Sequence, residues 1–268
     1  MTHPLLPAWS SGPRPVIGML HLPPLPGAPR CQTDLPAIRE FMLHDADALV
    51  AGGVHGLMLE NFGDTPFYPG RVPASVVASM TYLAGEVSRR FDIPLGINVL
   101  RNDGRSALAV AHAVGAAFIR VNVLCGARVT DQGLIQGIAH ELLRDRVLLG
   151  AQHIRILADV DVKHSAPLGA ARPIADEAAD LLHLNGADAL IVSGGGTGQP
   201  ASPDDARRVK SVAGDAPVLI GSGATPESLR SFLPHADGFI VGTALKTGGI
   251  VTNAVDSQRV QDLIRSLS

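Results

Sequence analysis

The chain has 268 residues, 46% hydrophobic and 18% charged, with 29 glycines, 20 prolines and a formal net charge of −3. That length can bury a large core without disulfides, and the charge balance favours neither nucleic acid nor an anionic membrane surface as a partner. Two distant cysteines, Cys31 and Cys125, show no CxxC spacing, and no apolar run reaches the roughly eighteen residues of a membrane helix, so a cytoplasmic protein without membrane insertion is expected.

In chain order, residues 1–14 form a proline-punctuated lead-in, expected to be flexible, and the remainder, 15–268, one domain. Short apolar segments then alternate with Ala/Leu/Arg-rich helical ones. The predicted strands are "VIGML" (16–20), "GLMLE" (56–60), "LGINV" (95–99), "FIRVNV" (118–123), "IRILADV" (154–160), "ALIVS" (189–193), "PVLIG" (217–221) and "GFIVG" (238–242). Helices are predicted near 34–51, 73–90, 104–115, 132–148, 173–186, 203–213, 225–231 and 256–267, several opened by capping residues such as Asp34 and Ser202. Strict alternation of this kind indicates a single (β/α)8 TIM barrel, with an open doubly wound sheet as the alternative.

In such a barrel the carboxyl ends of the strands form the active face, and side chains of one parity point inward. Parity places Glu60, Asp159, Asp161 and Lys163 at the mouth, with His21 just past the first strand: the three carboxylates are the proton-transfer candidates, tuned by Lys163 and Arg120, and Lys163 is alternatively a Schiff-base amine. Asn98, Arg101, Asn102, Arg120, Asn122, His164, Ser193 and Thr197 are the expected substrate-binding residues around them. The structural alternative is a collar of ion pairs plugging the barrel. A divalent metal held by Glu60, the two aspartates and His164 is possible in principle, although strict ligand spacing is absent and no cofactor is called for by any motif.

Glycine-rich turns follow the last three strands: "SGGGTG" (193–198), "GSGAT" (221–225) and "VGTALK" (241–246). Backbone amides in such turns cradle anions, which makes Gly221, Ser222, Gly223, Gly242 and Thr243 phosphate candidates, with Lys246 able to assist. Tight turns alone would also use these glycines. The loop "ENFGDTPFYPGRVP" (60–73) carries Phe62, Phe67 and Tyr68 and is expected to be either a substrate wall or lid, or an aromatic cap over the adjoining helices, with Asp64 closing a turn inside it in preference to binding a ligand. Cys125 has no evident base beside it and is a weak nucleophile candidate.

The segments "IGMLHLPPLPGAP", "GLMLENFGDTPFYPGRVP", "GINVLRNDG", "FIRVNVLCGARVTDQG", "LADVDVKHSAPL" and "DGFIVGT" resemble the BtpA family, SgcQ-like proteins included, from about residue 15 onward. The resemblance implies a barrel related to phosphate-binding barrels. It connects the chain both to photosystem I accumulation and to sugar-phosphate gene neighbourhoods. It also draws attention to Arg128, Thr130 and Asp131 in the loop after the fourth strand; the departure is "VSGGGTG", which puts Gly195 where a threonine-rich turn is expected. The expected ligand is a phosphorylated small molecule, sugar or ribosyl phosphate, handled by an isomerase, lyase or glycoside-cleaving enzyme, the alternative being a non-catalytic factor of the photosystem I biogenesis type. Homo-oligomerisation is expected, since barrels commonly pair through loops or outer helices.

Overall fold

A computed structural model describes residues 5–10, 12–195 and 200–267. In chain order the strands are β1 (Val16–His21), β2 (Gly56–Glu60), β3 (Leu95–Asn98), β4 (Phe118–Val121), β5 (Ala127–Thr130), β6 (Gly133–Gln136), β7 (Arg155–Val160), β8 (Ser165–Pro167), β9 (Ala189–Val192), β10 (Val218–Ile220) and β11 (Gly238–Val241). The α-helices are α1 (Leu35–Gly52), α2 (Ala74–Arg90), α3 (Gly104–Val114), α4 (Ala139–Leu148), α5 (Ile174–His183), α6 (Pro203–Val212), α7 (Leu229–Phe232) and α8 (Ser257–Arg265). Eight strands close into a parallel barrel in the order β1-β11-β10-β9-β7-β4-β3-β2, which makes the chain a (β/α)8 TIM barrel.

Side-chain alternation builds the barrel interior in layers. Ile17, Met19, Met58, Phe118, Leu157, Ile191, Leu219 and Ile240 form an apolar inner cluster. Two residues further along the same strands the inward positions turn polar: His21, Glu60, Arg120, Asp159, with Gly221 and Gly242 beyond β10 and β11. Registers such as Met19↔Met58 and His21↔Glu60 keep the layers level. Gly96 belongs to the lower layer because a Cβ there would sit 2.0 Å from the Phe118 ring. Helix starts follow the sequence chemistry: Asp34 accepts from the Ala37 N–H at 2.9 Å, and Asp103 accepts from Ser106 at 3.0 Å while also holding the Val72 N–H at 2.8 Å.

Three expectations change. The lead-in is packed over residues 5–10: Leu5 and Leu6 are buried in the inner cluster, and the Trp9 indole donates to the His55 carbonyl at 2.9 Å, its ring 6.0 Å from that of Phe118. Apolar side chains at the barrel's open lower end are what hold it there. The helix expected over 132–148 starts only at Ala139, because Gly133, at φ = 90°, turns the preceding chain into the hairpin β5–β6, which β8 extends to an antiparallel rim sheet. The helix near 225–231 is reduced to α7, since Thr225 and Ser228 spend their hydroxyls on the turn, Thr225 N–H donating to Ser228 Oγ at 2.9 Å.

Candidate active site

A cavity of about 650 Å³ opens at the carboxyl ends of the strands. His21, Glu60, Arg120 and Lys163 line one part of it, and the loops Gly221–Thr225 and Gly242–Ala244 another. The anion-cradle candidates therefore share one space with the acid–base candidates. Gly242 must lack a side chain, because a Cβ there would lie 2.5 Å from His21 Cε1.

His21 Nε2 lies 3.7 Å from Glu60 Oε1, and its ring packs on Phe62 with centroids 4.7 Å apart. Burial, reinforced by Lys246, Lys163 and Arg120, holds the imidazole well below its usual pKa, so it is neutral at pH 7. Its Nδ1 is buried without a hydrogen-bond partner among the described residues. Glu60 is itself buried and receives the Asn98 amide at 2.6 Å.

Lys163 follows the point where the strand stops being extended. Asp161 (φ = 51°) and His164 (φ = 57°) take left-handed conformations, and the chain folds over the mouth between them. The Arg101 guanidinium donates to the Lys163 carbonyl at 2.5 Å and fixes this turn from inside. Burial pushes the Lys163 amine below its ordinary pKa, Arg120 adds to that, and Glu60 and Asp159 oppose it. A buried amine of lowered basicity beside a neutral imidazole and a carboxyl group can transfer protons or attack a carbonyl.

Asp159 has a different position. It accepts two hydrogen bonds from Arg120, at 2.9 and 2.8 Å, one from Asn122 at 2.9 Å and one from Ser193 at 2.9 Å. Burial works against the Arg120 charge, but the Asp159 pair outweighs it and holds the guanidinium above its usual pKa. With its lone pairs taken, Asp159 anchors Arg120 beneath the cavity instead of serving as a free base.

Asp161 does not join the acids. Its left-handed backbone breaks the parity on which its expected position rested, and its largely exposed carboxylate pairs outward with Arg128 at 2.6 Å. Arg128 also binds Glu177 of α5, so one buried arginine ties the turn to the helix. Asn102 is structural: its amide bridges the Val123 backbone, at 2.8 and 2.9 Å, to the Gln136 carbonyl at 3.3 Å. Lys246, expected near phosphate, is fully buried and paired with Asp45 of α1. Asn98, Arg101, Asn122 and Ser193 stand behind the cavity wall as supports, while the exposed His164 donates its N–H to the Gly195 carbonyl at 3.2 Å. Thr130 and Asp131 lie at the hairpin turn, where the Thr130 hydroxyl donates to the Gly133 carbonyl at 3.1 Å. Thr197 lies outside the described residues. Burial, with Asp180 and Glu177 adding, pushes the Cys125 thiol up, which works against a thiolate nucleophile. Asp64 accepts from the Leu25 N–H at 2.7 Å, so its carboxylate ties the loop after β2 to the loop after β1 instead of closing the turn expected within its own loop.

Comparison with protein families matches residues 13–268 to the BtpA family. The chain belongs to the BtpA family. The photosystem I biogenesis protein BtpA of Synechocystis sp. is 45% identical over 254 residues, 95% of this chain and 88% of that one. An uncharacterized protein of Pyrococcus furiosus is 42% identical over 255 residues, 94% of each chain. Among solved structures, thiamine phosphate pyrophosphorylase from Pyrococcus furiosus superposes with a TM-score of 0.54 at 16% identity, covering 95% of both chains. Phosphoribosyl anthranilate isomerase from Thermus thermophilus gives 0.54 at 12%, covering 94% of this chain and 98% of that one. At those identities the likeness is one of fold.

In this BtpA-family barrel the cavity has one wall that strand parity did not nominate. Arg259 and Asp262, exposed on α8, line it, and Arg259 donates to the Ala244 carbonyl at 3.2 Å, next to the β11 loop. In sequence they read as an ordinary solvated helix face; only barrel closure brings the first turns of α8 over the glycine loops. Glu60, Asp159, Asp161 and His164 do not gather into a metal site, since among the described residues no group of three or more His, Cys, Asp or Glu is arranged to hold an ion. None of the described helices is long and apolar enough to cross a membrane.

Proposed function

We propose that this protein is an enzyme acting on a phosphorylated small molecule, a sugar phosphate or ribosyl phosphate, through isomerase, lyase or glycoside-cleaving chemistry. The observation that carries this is the shared cavity, whose walls bring the loops Gly221–Gly223 and Gly242–Thr243 together with His21, Glu60 and Lys163. Backbone amides of these loops hold the phosphate, assisted by Arg259 at the outer edge. Arg120, fixed by Asp159, supplies positive charge under the reacting centre. Neutral His21 and Glu60 exchange protons, and Lys163 either shares that work or forms an imine with a carbonyl substrate. The near-neutral charge and unpaired cysteines suit a cytoplasmic homo-oligomer with no nucleic-acid partner.

The test is turnover and binding on a panel of pentose and hexose phosphates. Lys163→Ala is expected to abolish turnover at an unchanged melting profile, and Asp161→Asn to retain most of it. Borohydride added during turnover is expected to fix substrate carbon on Lys163 if an imine forms, read by mass spectrometry. Full activity in Lys163→Ala would remove the assignment.

A second function, a non-catalytic factor in photosystem I assembly, takes its support from the name of the Synechocystis relative and from Val129, Leu134 and Leu168, which leave apolar surface exposed on the rim sheet. It predicts that Leu134→Asp with Leu168→Asp abolishes partner binding, and that Lys163→Ala does not.

A further inference from the structure

His21 is a wall shared by two hollows. Beside the main cavity lies another of about 410 Å³, between the loops that follow β1, β2 and β11. Its walls are Pro23 and Pro24 from the first loop, Phe62 from the second, Val251 from the third and Phe41 of α1. Among the described residues, the polar side chains in its lining are Arg30, Thr65 and Thr252 besides His21.

These walls are a poor match for a sugar. Hydroxyls placed against proline and phenylalanine lose their water without gaining partners. A flat ring gains there twice, from burial of apolar surface and from offset stacking on Phe62, whose own ring already packs on His21 at an interplanar angle of 43°. Among the walls, Arg30, Thr65 and Thr252 can hydrogen-bond the heteroatoms of a ring that enters the second hollow.

Building on the function proposed above, we infer that the substrate is a phosphate ester carrying a planar heteroaromatic group, with its phosphate in the β10 and β11 loops and its ring in the hollow bounded by His21, Phe62, Pro23 and Val251. The bond to be broken or rearranged then lies between the two ends, beside His21, Glu60 and Lys163. The glycine loops recognise the anionic end and are indifferent to the rest, while the apolar hollow selects the substituent.

Calorimetric titration of the full chain separates the two ends. The probes are inorganic phosphate, ribose 5-phosphate, phenyl phosphate, and adenosine, guanosine and uridine 5′-monophosphates. At least one ring-bearing ester is expected to bind about tenfold or more tighter than ribose 5-phosphate, a difference of the size that burying one ring supplies. Val251→Trp, which fills the hollow, is expected to bring that ratio to about one. Gly223→Asp and Thr243→Glu, which place a negative charge in the cradle, are expected to weaken every probe, thermal melts establishing that each variant folds. Ring-bearing esters no tighter than ribose 5-phosphate, or a ratio undiminished in Val251→Trp, would overturn the ring assignment and leave the phosphate cavity standing. Binding unaffected in both cradle variants would overturn the cavity assignment itself.

Discussion

Lys163 and Asp161 stand two apart in the sequence, yet one points into the barrel mouth and the other out of it. An extended segment would have put them on one face; the left-handed Asp161 backbone separates them. The consequence for Lys163 is measurable. Between its lowered folded value and the ordinary 10.5, the unfolded chain holds a proton that the folded chain lacks, so stability rises with pH across that window. The charged amine therefore costs stability at neutral pH. Lys163→Met is expected to raise the melting temperature by about 2 °C at pH 7, a gain that shrinks toward pH 10. A lower melting temperature in the variant at pH 7 would contradict the burial cost. Asp159 carries the opposite expectation: Asp159→Asn leaves the buried Arg120 charge without its counterion and is expected to cost about 3–5 kcal/mol in urea unfolding. The double variant Arg120→Met with Asp159→Leu should cost less than the single one, and equal losses would show that the pair is not what stabilises this layer. Parity nominated both residues for chemistry. Which is saturated by partners and which is left facing the cavity depends on neighbours in β4 and β9, far away along the chain.

At the level of elements, the strands were the most legible part, because each buried run carries β-branched or leucine residues between glycine and proline punctuation. The rim sheet was not. "ARVTDQGLIQ" has apolar residues spaced ambiguously between helix and hairpin, and only the Gly133 turn and the pairing of Val129 with both Leu134 and Ala166 decide it. That sheet supports the site indirectly. Arg128 on β5 binds Asp161 on the Lys163 turn and Glu177 on α5, so three elements meet at one guanidinium. Arg128→Leu is expected to lower turnover about tenfold by misplacing Lys163, with little change in melting temperature. Limited proteolysis should meanwhile open a new cut within residues 161–170. Unaltered cleavage and kinetics would mean that the Arg101 contact alone holds the turn.

For the whole molecule, the alternation of strands and helices was enough to indicate the barrel, and the glycine loops after β10 and β11 were enough to indicate which end opens into the cavity. Two closures across the barrel could not be read locally: the first turns of α8 over the cavity, and the lead-in under it. The lower closure joins Leu5 and Leu6 to Leu219 and Ile240, most of the chain away, and the upper one depends on the last helix being brought over the β10 and β11 loops. The lower closure has its own expected cost. Leu6→Asp puts a carboxylate among Phe118, Leu219 and Ile240, and is expected to destabilise the protein by about 2–3 kcal/mol with no change in substrate affinity, checked by thermal melts and titration. The seat of Leu5 and Leu6 also has a temporal side. During synthesis these leucines leave the ribosome ahead of every barrel strand, while Ile240 of their pocket belongs to β11, the last strand of the cylinder to be made. Until then the amino-terminal segment has only part of its seat, His55, Met58 and Phe118 among it, and the bottom of the cylinder is sealed only after its final stave is in place.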